Sequence, residues 1–88
     1  VSLELGGKSP NIILPDADIV RAAKGAADGI FYNQGQVCTA ASRLYVHASV
    51  LDQVLEELQR HAAAHVLGNG LDPANSMGPL VSARQLDT

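Results

Sequence analysis

The chain contains a single cysteine, Cys38, whose surroundings suit a reactive thiol. It follows a polar, glycine-containing stretch, residues 33–36, and precedes small residues. Backbone amides directed at a thiol favour the thiolate, which is the nucleophile in covalent catalysis. A free cysteine is more often a small buried core residue, and composition alone favours that interpretation. Cys38 is therefore a candidate nucleophile with a structural alternative.

A carboxylate, Glu4, stands between two leucines in a segment with the pattern of a buried strand. Two glycines follow it and allow another group to approach the backbone closely. A carboxylate at a buried strand end can act as a general base. For a single glutamate, projection into solvent or pairing with Lys8 is the more common arrangement. Both interpretations of Glu4 remain open at the level of residue types.

Other residues whose side chains could take part in chemistry do not form a recognised site. Residues 6–9 (GGKS) lack the spacing of a phosphate-binding loop, and no G-x-G-x-x-G fingerprint occurs in the sequence. His61 and His65 are one helical turn apart, but no third ligand accompanies them, so we predict surface positions and no metal site. Asp16 and Asp18 are typical of a helix start, with Asp16 predicted as the N-cap.

The candidate residues must be positioned by short strands and helices. Alternation in residues 1–5 predicts a strand, and the apolar run 11–14, bounded by prolines, predicts a second. Apolar residues recur at helical spacing over 19–30, where Gly25 suggests close packing against a neighbour. Residues 33–36 are predicted to form a turn.

The second half of the chain repeats this alternation of strand and helix. Residues 43–47 predict a strand, Ser49 is the expected cap of the next helix, and Gly68 its expected end. Residues 68–79 are predicted to form a polar loop, and a helix begins near Ser82. The order predicts an α/β fold in which layered helices cover a mostly parallel sheet.

Composition excludes several classes of protein. The chain is 47% hydrophobic and 17% charged, which is typical of a globular domain. Its net charge of −3 argues against non-specific nucleic-acid binding, and no apolar run approaches the roughly 20 residues of a membrane span. One cysteine allows no internal disulfide and suits a reducing compartment, so we expect a cytoplasmic protein.

Two stretches resemble signature motifs of the aldehyde dehydrogenase superfamily. Residues 4–10 (ELGGKSP) are similar to its glutamate motif, and residues 35–38 (GQVC), with Phe31 upstream and Arg43 downstream, are similar to its cysteine motif. Cys38 follows Glu4 by 34 positions, and this order and separation also match the family. The similarity continues through residues 11–13 (NII) and 78–81 (GPLV), with no departure at a motif position.

This resemblance implies an NAD- or NADP-dependent oxidation of an aldehyde to a carboxylic acid. Cys38 would attack the carbonyl carbon and carry thiohemiacetal and thioester intermediates, and Glu4 would activate the hydrolytic water. Leu5 and Gly6 would lie near the nicotinamide, and Val37 and Thr39 would line the substrate pocket. The Cys38 backbone N–H would supply half of an oxyanion hole, the other half being an asparagine outside this chain.

The resemblance also suggests a substrate class and leaves two alternatives. Residues 35–47 and 68–73 look most like family members acting on phenylacetaldehyde or betaine aldehyde. Relatives that pass the acyl group to coenzyme A generally lack the glutamate, so Glu4 favours hydrolysis over CoA acylation. A non-catalytic α/β structural or binding module is the other alternative.

The domain organisation follows from the same comparison. Residues 1–88 would be part of the catalytic domain, beginning at its junction with a preceding cofactor-binding domain. Because the chain starts at Val1 and stops soon after a helix begins, we expect it to be a fragment that is inactive alone. The expected partners are a small aldehyde and, for the full-length protein, further copies in a homodimer or homotetramer. Neither nucleic acid nor a membrane is expected as a partner.

Overall fold

A computed structural model describes all residues from Val1 to Thr88. Two short strands and three α-helices alternate along the chain, with 3-10 turns at Tyr32–Gly35 and Ala48–Val50. The elements in order are β1 (Pro10–Ile13), α1 (Ile19–Phe31), β2 (Arg43–Val46), α2 (Leu51–Ala63) and α3 (Ala83–Asp87). No helix is long and apolar enough to cross a membrane.

The two strands pair in parallel and confirm the predicted α/β fold. Pro10 lies opposite Arg43, and Ile13 lies opposite Val46. A parallel pair needs a crossover connection, which here is α1. The strands predicted at 11–14 and 43–47 and the helix predicted at 19–30 are therefore confirmed to within a residue or two.

The core lies on one face of this sheet, beneath α1 and α2. Ile13 from β1, Ala26 from α1 and Val54 from α2 form it together with Val50. Alanines on α1 are buried at Ala23, Ala26 and Ala27, which lets the two helices pack closely. On the opposite face of the sheet, the partner residues Ile12 and Tyr45 remain exposed.

The strand predicted for residues 1–5 is wrong, because this segment is irregular and fully exposed. A strand requires a partner with free backbone groups, and β2 pairs with β1 only from Pro10 onward. The alternation of apolar and polar residues therefore marks a segment that has no neighbouring strand to pair with.

Three helix boundaries differ from the predicted ones. Asp18, not Asp16, caps α1 and accepts a hydrogen bond from the Arg21 backbone N–H at 3.1 Å. Ser49 does not cap α2, because it lies inside the 3-10 turn Ala48–Val50, where His47 Nδ1 accepts from the Ser49 backbone N–H at 3.2 Å; α2 then begins without a side-chain cap. Helix α2 already ends at Ala63, well before the predicted Gly68.

The close packing predicted at Gly25 is wrong, and Gly29 is the glycine of α1 that faces a neighbour, at ordinary van der Waals distance. A β-carbon on Gly25 would meet no atom within 4 Å, whereas one on Gly29 would lie 3.8 Å from the Ala41 β-carbon. The Gly29 carbonyl also accepts from the Ala41 backbone N–H at 3.3 Å. Helix α1 is therefore attached directly to the segment that follows the cysteine.

Candidate active site

The parallel ladder brings the glutamate and cysteine segments to the same end of the sheet. Glu4 shortly precedes β1, and Cys38 shortly precedes β2. Because β1 and β2 run in parallel from the pair Pro10 and Arg43, the segments that enter them lie side by side. Residues far apart in sequence thus meet because of strand register.

A surface cleft of about 410 Å³ lies between these two segments. Glu4 and Cys38 both line it, and so do the predicted cofactor residues Leu5 and Gly6 and the predicted pocket residue Val37. Thr39 is exposed beside Cys38 but does not line this cleft. The roles of Leu5, Gly6, Val37 and Thr39 stay predictions; the remaining lining residues are Gly7, Lys8, Gly35, Gln36, Gln85 and Thr88.

Direct backbone contact joins the two motifs at Gly7. A β-carbon built on Gly7 would collide with the backbone carbonyl oxygen of Cys38. Only a residue without a side chain allows this approach. The second glycine of the ELGGKSP motif is therefore explained by contact with the peptide of the candidate nucleophile.

Cys38 lies in a tight turn and is exposed. The turn is closed by a hydrogen bond from the Ala40 backbone N–H to the Val37 carbonyl at 3.0 Å. No protein group accepts a hydrogen bond from the backbone N–H of Cys38 itself. An unpaired N–H beside a thiol can donate a hydrogen bond to the negatively charged oxygen that forms when the thiolate attacks a carbonyl carbon. Within these 88 residues Cys38 is therefore not a core residue.

The turn before the cysteine has an unusual left-handed backbone. Asn33, Gln34 and Gly35 have φ values of 48°, 58° and 75°. This conformation costs about 1–2 kcal/mol for each residue other than glycine. Part of that cost is offset within the turn, where Asn33 Nδ2 donates to the Gln36 carbonyl at 3.1 Å. The predicted turn at 33–36 is confirmed, and it stores local strain next to Cys38.

Glutamine side chains connect this turn to the segment after α2. Gln36 Oε1 accepts from the Val81 backbone N–H at 3.0 Å. With the Gln34 amide oriented according to its hydrogen-bond surroundings, its oxygen accepts from the Gly78 backbone N–H at 3.1 Å. The GPLV stretch at 78–81 is therefore a support for the cysteine turn, which sequence reasoning had noted only as part of a resemblance.

The side chain of Glu4 is exposed and is not paired with Lys8. Lys8 instead donates from Nζ to the adjacent Gly7 carbonyl at 3.3 Å. Glu4 therefore has no cationic partner in this chain and can accept a proton from a group or water in the cleft. The predicted alternative of a Glu4–Lys8 ion pair is wrong, whereas the other ordinary arrangement, projection into solvent, is the one that these residues show.

Arg43 spans the two segments, a role that its sequence position did not reveal. Its Nε donates to the Lys8 carbonyl at 2.8 Å, and its backbone N–H donates to the Ser9 carbonyl at 3.3 Å. These bonds attach the end of the glutamate segment to the first residue of β2. Only the register of the sheet, which the sequence does not contain explicitly, predicts such a contact.

Gln85 and Thr88 are further residues of the cleft that sequence reasoning missed. Both belong to the α3 region, which begins with Ser82 accepting from the Gln85 backbone N–H at 3.2 Å. No motif marks these residues, since their position depends on how the polar loop before α3 folds back. The loop is closed by a bridge between Leu67 and Met77.

Three other hollows lie away from the candidate residues, one of about 630 Å³ being lined by Leu67, Gly68 and Pro79 among others. One of about 470 Å³ is lined by Asp28 and His65 among others, and one of about 560 Å³ is largely apolar. The Lys24 ammonium donates to the Asp28 carboxylate at 2.6 Å and lowers the pKa of that carboxyl. His65 is half-buried and contacts the edge of Phe31. No three His, Cys, Asp or Glu side chains are close enough to hold a metal ion.

Comparison with known sequences gives one consistent result. The whole chain, residues 1–88, matches the model of the aldehyde dehydrogenase family. A Schizosaccharomyces pombe relative named "Probable betaine aldehyde dehydrogenase" is 55% identical over 87 residues, or 99% of this chain. The phenylacetaldehyde dehydrogenase of Pseudomonas fluorescens is 55% identical over 84 residues, or 96% of this chain. The chain spans 17% of the length of each of these relatives.

Solved structures agree with the sequence matches. The NAD+ complex of an aldehyde dehydrogenase from Bacillus cereus is similar with a TM-score of 0.87 at 50% identity. That match covers 96% of this chain and 17% of the Bacillus cereus chain. The arrangement of β1, α1, β2 and α2 is therefore shared with an enzyme solved with NAD+ bound.

Proposed function

This chain belongs to the aldehyde dehydrogenase family, and from that premise we propose that the protein containing it oxidises an aldehyde to a carboxylic acid with NAD+ or NADP+. One observation carries the proposal. Glu4 and Cys38, 34 positions apart in sequence, line the same cleft because β1 and β2 pair in parallel. A nucleophile and a base facing one cavity are the minimum that acyl transfer to water requires.

In the first step, the Cys38 thiolate attacks the carbonyl carbon of the aldehyde. A carbon–sulfur bond forms and the carbonyl π electrons move to oxygen, giving an anionic thiohemiacetal. The unpaired Cys38 backbone N–H is available to bind this oxygen. Removal of one such donor commonly costs about 100- to 1,000-fold in kcat. A second donor would come from outside the 88 residues.

A nicotinamide cofactor would supply the acceptor for the hydride that leaves the thiohemiacetal carbon. Loss of hydride regenerates the carbonyl and leaves a thioester on Cys38. Leu5 and Gly6 are the residues of this chain that would contact the nicotinamide. A β-carbon on Gly6 would meet no atom within 4 Å, so the backbone there is open to a flat ring. The rest of a dinucleotide site would lie outside these residues.

In the last step, Glu4 accepts a proton from a water molecule as that water attacks the thioester carbonyl carbon. The tetrahedral intermediate then collapses, the carbon–sulfur bond breaks, and Cys38 leaves as the thiolate. Because Glu4 is exposed in the cleft and unpaired, its carboxylate can reach such a water. The products are the carboxylic acid and the free enzyme thiolate, and Glu4 returns the proton that it accepted to solvent.

The substrate would be a small organic aldehyde, with phenylacetaldehyde and betaine aldehyde as the first candidates. Support comes from the names of the two relatives at 55% identity. Val37 and Thr39 flank Cys38 and would contact the group attached to the aldehyde carbon. We further propose a homodimer or homotetramer for the full-length protein and a cytoplasmic location, where an exposed catalytic thiol stays reduced.

The decisive experiment compares Cys38→Ala and Glu4→Gln in the full-length protein by rapid mixing with aldehyde and NAD(P)+. Cys38→Ala should give no NAD(P)H, because no covalent intermediate can form. Glu4→Gln should give a stoichiometric burst of NAD(P)H followed by slow turnover, because acylation survives and hydrolysis does not. Mass spectrometry of the stalled Glu4→Gln variant should show an acyl group on Cys38.

Four outcomes separate this proposal from its alternatives. Turnover in Cys38→Ala comparable to that of the unsubstituted protein would refute the nucleophile. Steady turnover without a burst in Glu4→Gln would refute the base. Product release that requires added coenzyme A would identify an acylating dehydrogenase, and an absence of any turnover in the unsubstituted protein would identify a non-catalytic module.

A further inference from the structure

We propose that Arg43 is a positioning residue for the hydrolytic step, acting by fixing the glutamate segment against the cysteine segment. The inference rests on the proposed function, since it concerns how Glu4 reaches the thioester on Cys38. Arg43 itself contacts neither the cleft nor the reacting atoms. Its effect would pass through the backbone between Lys8 and Glu4.

Arg43 holds two consecutive carbonyl groups of the glutamate segment. Its backbone N–H donates to the Ser9 carbonyl at 3.3 Å, and its side-chain Nε donates to the Lys8 carbonyl at 2.8 Å. Ser9 carries the last carbonyl of the glutamate segment that a backbone N–H of β2 reaches, because the ladder begins at the pair Pro10 and Arg43. The guanidinium therefore continues the strand pairing one residue further toward Glu4, where backbone pairing alone would stop.

The Arg43 side chain is itself oriented by its neighbours. Its guanidinium carbon lies 5.9 Å from the centre of the Tyr45 ring, two residues along β2 on the same face of the sheet. A charge-assisted hydrogen bond is shorter and stronger than one between neutral groups, which agrees with the 2.8 Å separation. A lysine would supply a point charge without the planar group that lies over Tyr45.

Arg43 is one of two attachments between the motifs, and the two are neighbours. Gly7 touches the Cys38 carbonyl, and the next residue, Lys8, is held by Arg43. Without the second attachment, the segment carrying Glu4 can move relative to the cysteine turn. Cys38 is held independently by its own turn and by Gln36 bonded to Val81. Loss of Arg43 should therefore impair the step that uses Glu4 more than the step that uses Cys38 alone.

The test is transient kinetics of Arg43→Ala in the full-length protein, with Arg21→Ala as the matched control. Arg21 is an exposed arginine on α1 whose side chain forms no hydrogen bond or ion pair in this chain. Misplacement by about 1 Å can cost on the order of 100-fold, and for an exposed attachment we expect a smaller loss of about 10-fold in steady-state turnover. The NAD(P)H burst rate should stay within about twofold, and Arg21→Ala should behave like the unsubstituted protein.

A combination with Glu4→Gln distinguishes positioning from general destabilisation. If Arg43 acts through Glu4, the double variant should turn over at the rate of Glu4→Gln alone. An equal loss in burst and steady-state rates, a further loss in the Glu4→Gln background, or no effect of Arg43→Ala would each overturn the proposal. Should Arg43→Ala fail to fold, Arg43→Lys should show the same selective loss at smaller size. Failure of Glu4→Gln to give a burst would refute the proposed function instead, independently of Arg43.

Discussion

Gly7 is the residue whose replacement most directly separates the two motifs. A methyl group there would collide with the Cys38 carbonyl oxygen, a backbone atom that cannot move without moving the candidate nucleophile. We expect Gly7→Ala to lower both the burst rate and the steady-state rate of the full-length protein by about 100-fold, the cost of a displacement of roughly 1 Å. Stopped-flow measurement of NAD(P)H formation would report both rates.

Gly25→Ala provides the control for this prediction. A β-carbon on Gly25 meets no atom within 4 Å, so alanine should be tolerated and should favour the helix by about 1 kcal/mol. Kinetics of Gly7→Ala that match those of Gly25→Ala would show that the contact between the motifs has no catalytic role. The two variants make the same glycine-to-alanine change in different surroundings.

Residue-level chemistry was only partly accessible from the sequence. The physical properties of Cys38 and Glu4 alone favoured ordinary structural roles, and their motifs, order and separation reversed that interpretation. The contact of Gly7 with Cys38 and the hydrogen bond from Arg43 to Lys8 depend on strand register. No local pattern encodes the register of two strands separated by a helix, so neither contact could be predicted.

Among the elements, the N-terminal cap of α1, the crossover helix between β1 and β2, can be tested directly. Asp18 accepts a hydrogen bond from the Arg21 backbone N–H and so satisfies one of the otherwise unpaired groups at the helix start. Asp18→Ala should weaken this end by about 1 kcal/mol, or roughly fivefold in local opening. Hydrogen–deuterium exchange of the full-length protein should show faster exchange in the first turn of α1.

Asp16→Ala is the matched substitution for this cap. Asp16 lies two residues outside the cap position and accepts no hydrogen bond. Its replacement should leave exchange in α1 within about twofold of the unsubstituted protein, because an exposed acid beyond the helix contributes at most a few tenths of a kcal/mol. Equal acceleration in both variants would contradict the assignment of Asp18 as the cap.

Element types were more predictable than element boundaries. Hydrophobic periodicity identified α1, α2 and both paired strands, since burial imposes a period of 3.6 on helices and of 2 on strands. The cap moved from Asp16 to Asp18, and α2 ended at Ala63, because several neighbouring residues could satisfy the same backbone groups. The false strand at residues 1–5 shows that alternation predicts a strand only where a partner exists.

At the scale of the whole molecule, the chain exposes more surface than a self-contained domain. Its accessible surface is 6690 Å², whereas a folded monomer of 9.2 kDa is expected to expose about 4,900 Å². Its radius of gyration is 14.6 Å, compared with about 12 Å for a compact domain of this length. Only 7 of 88 residues are buried. We therefore expect further protein to cover much of the surface that these residues leave exposed.

Part of the exposed surface is apolar at positions that other elements cover in a layered α/β fold. Ile12 and Tyr45 are paired neighbours on the face of the sheet opposite the core, and they are 65% and 52% exposed. Leu3 and Leu5, next to Glu4, are 70% and 69% exposed. Sheets with a parallel pair are covered on both faces in α/β proteins. The residues around the candidate site are therefore incompletely enclosed by this chain alone.

We accordingly predict that residues 1–88, produced alone, neither bind NAD(P)+ nor oxidise an aldehyde. The cleft holds Glu4 and Cys38, but it contains no dinucleotide fingerprint and only one oxyanion donor, and a site open to water weakens electrostatic stabilisation of charge. Incubation with aldehyde and NAD(P)+ should give no increase in absorbance at the NAD(P)H wavelength, while the full-length protein in parallel should give one. Cofactor titration followed by calorimetry should likewise show no heat of binding for the 88-residue chain. Turnover by this chain that disappears in Cys38→Ala would prove the opposite, namely that the two motifs and their sheet are sufficient for the reaction.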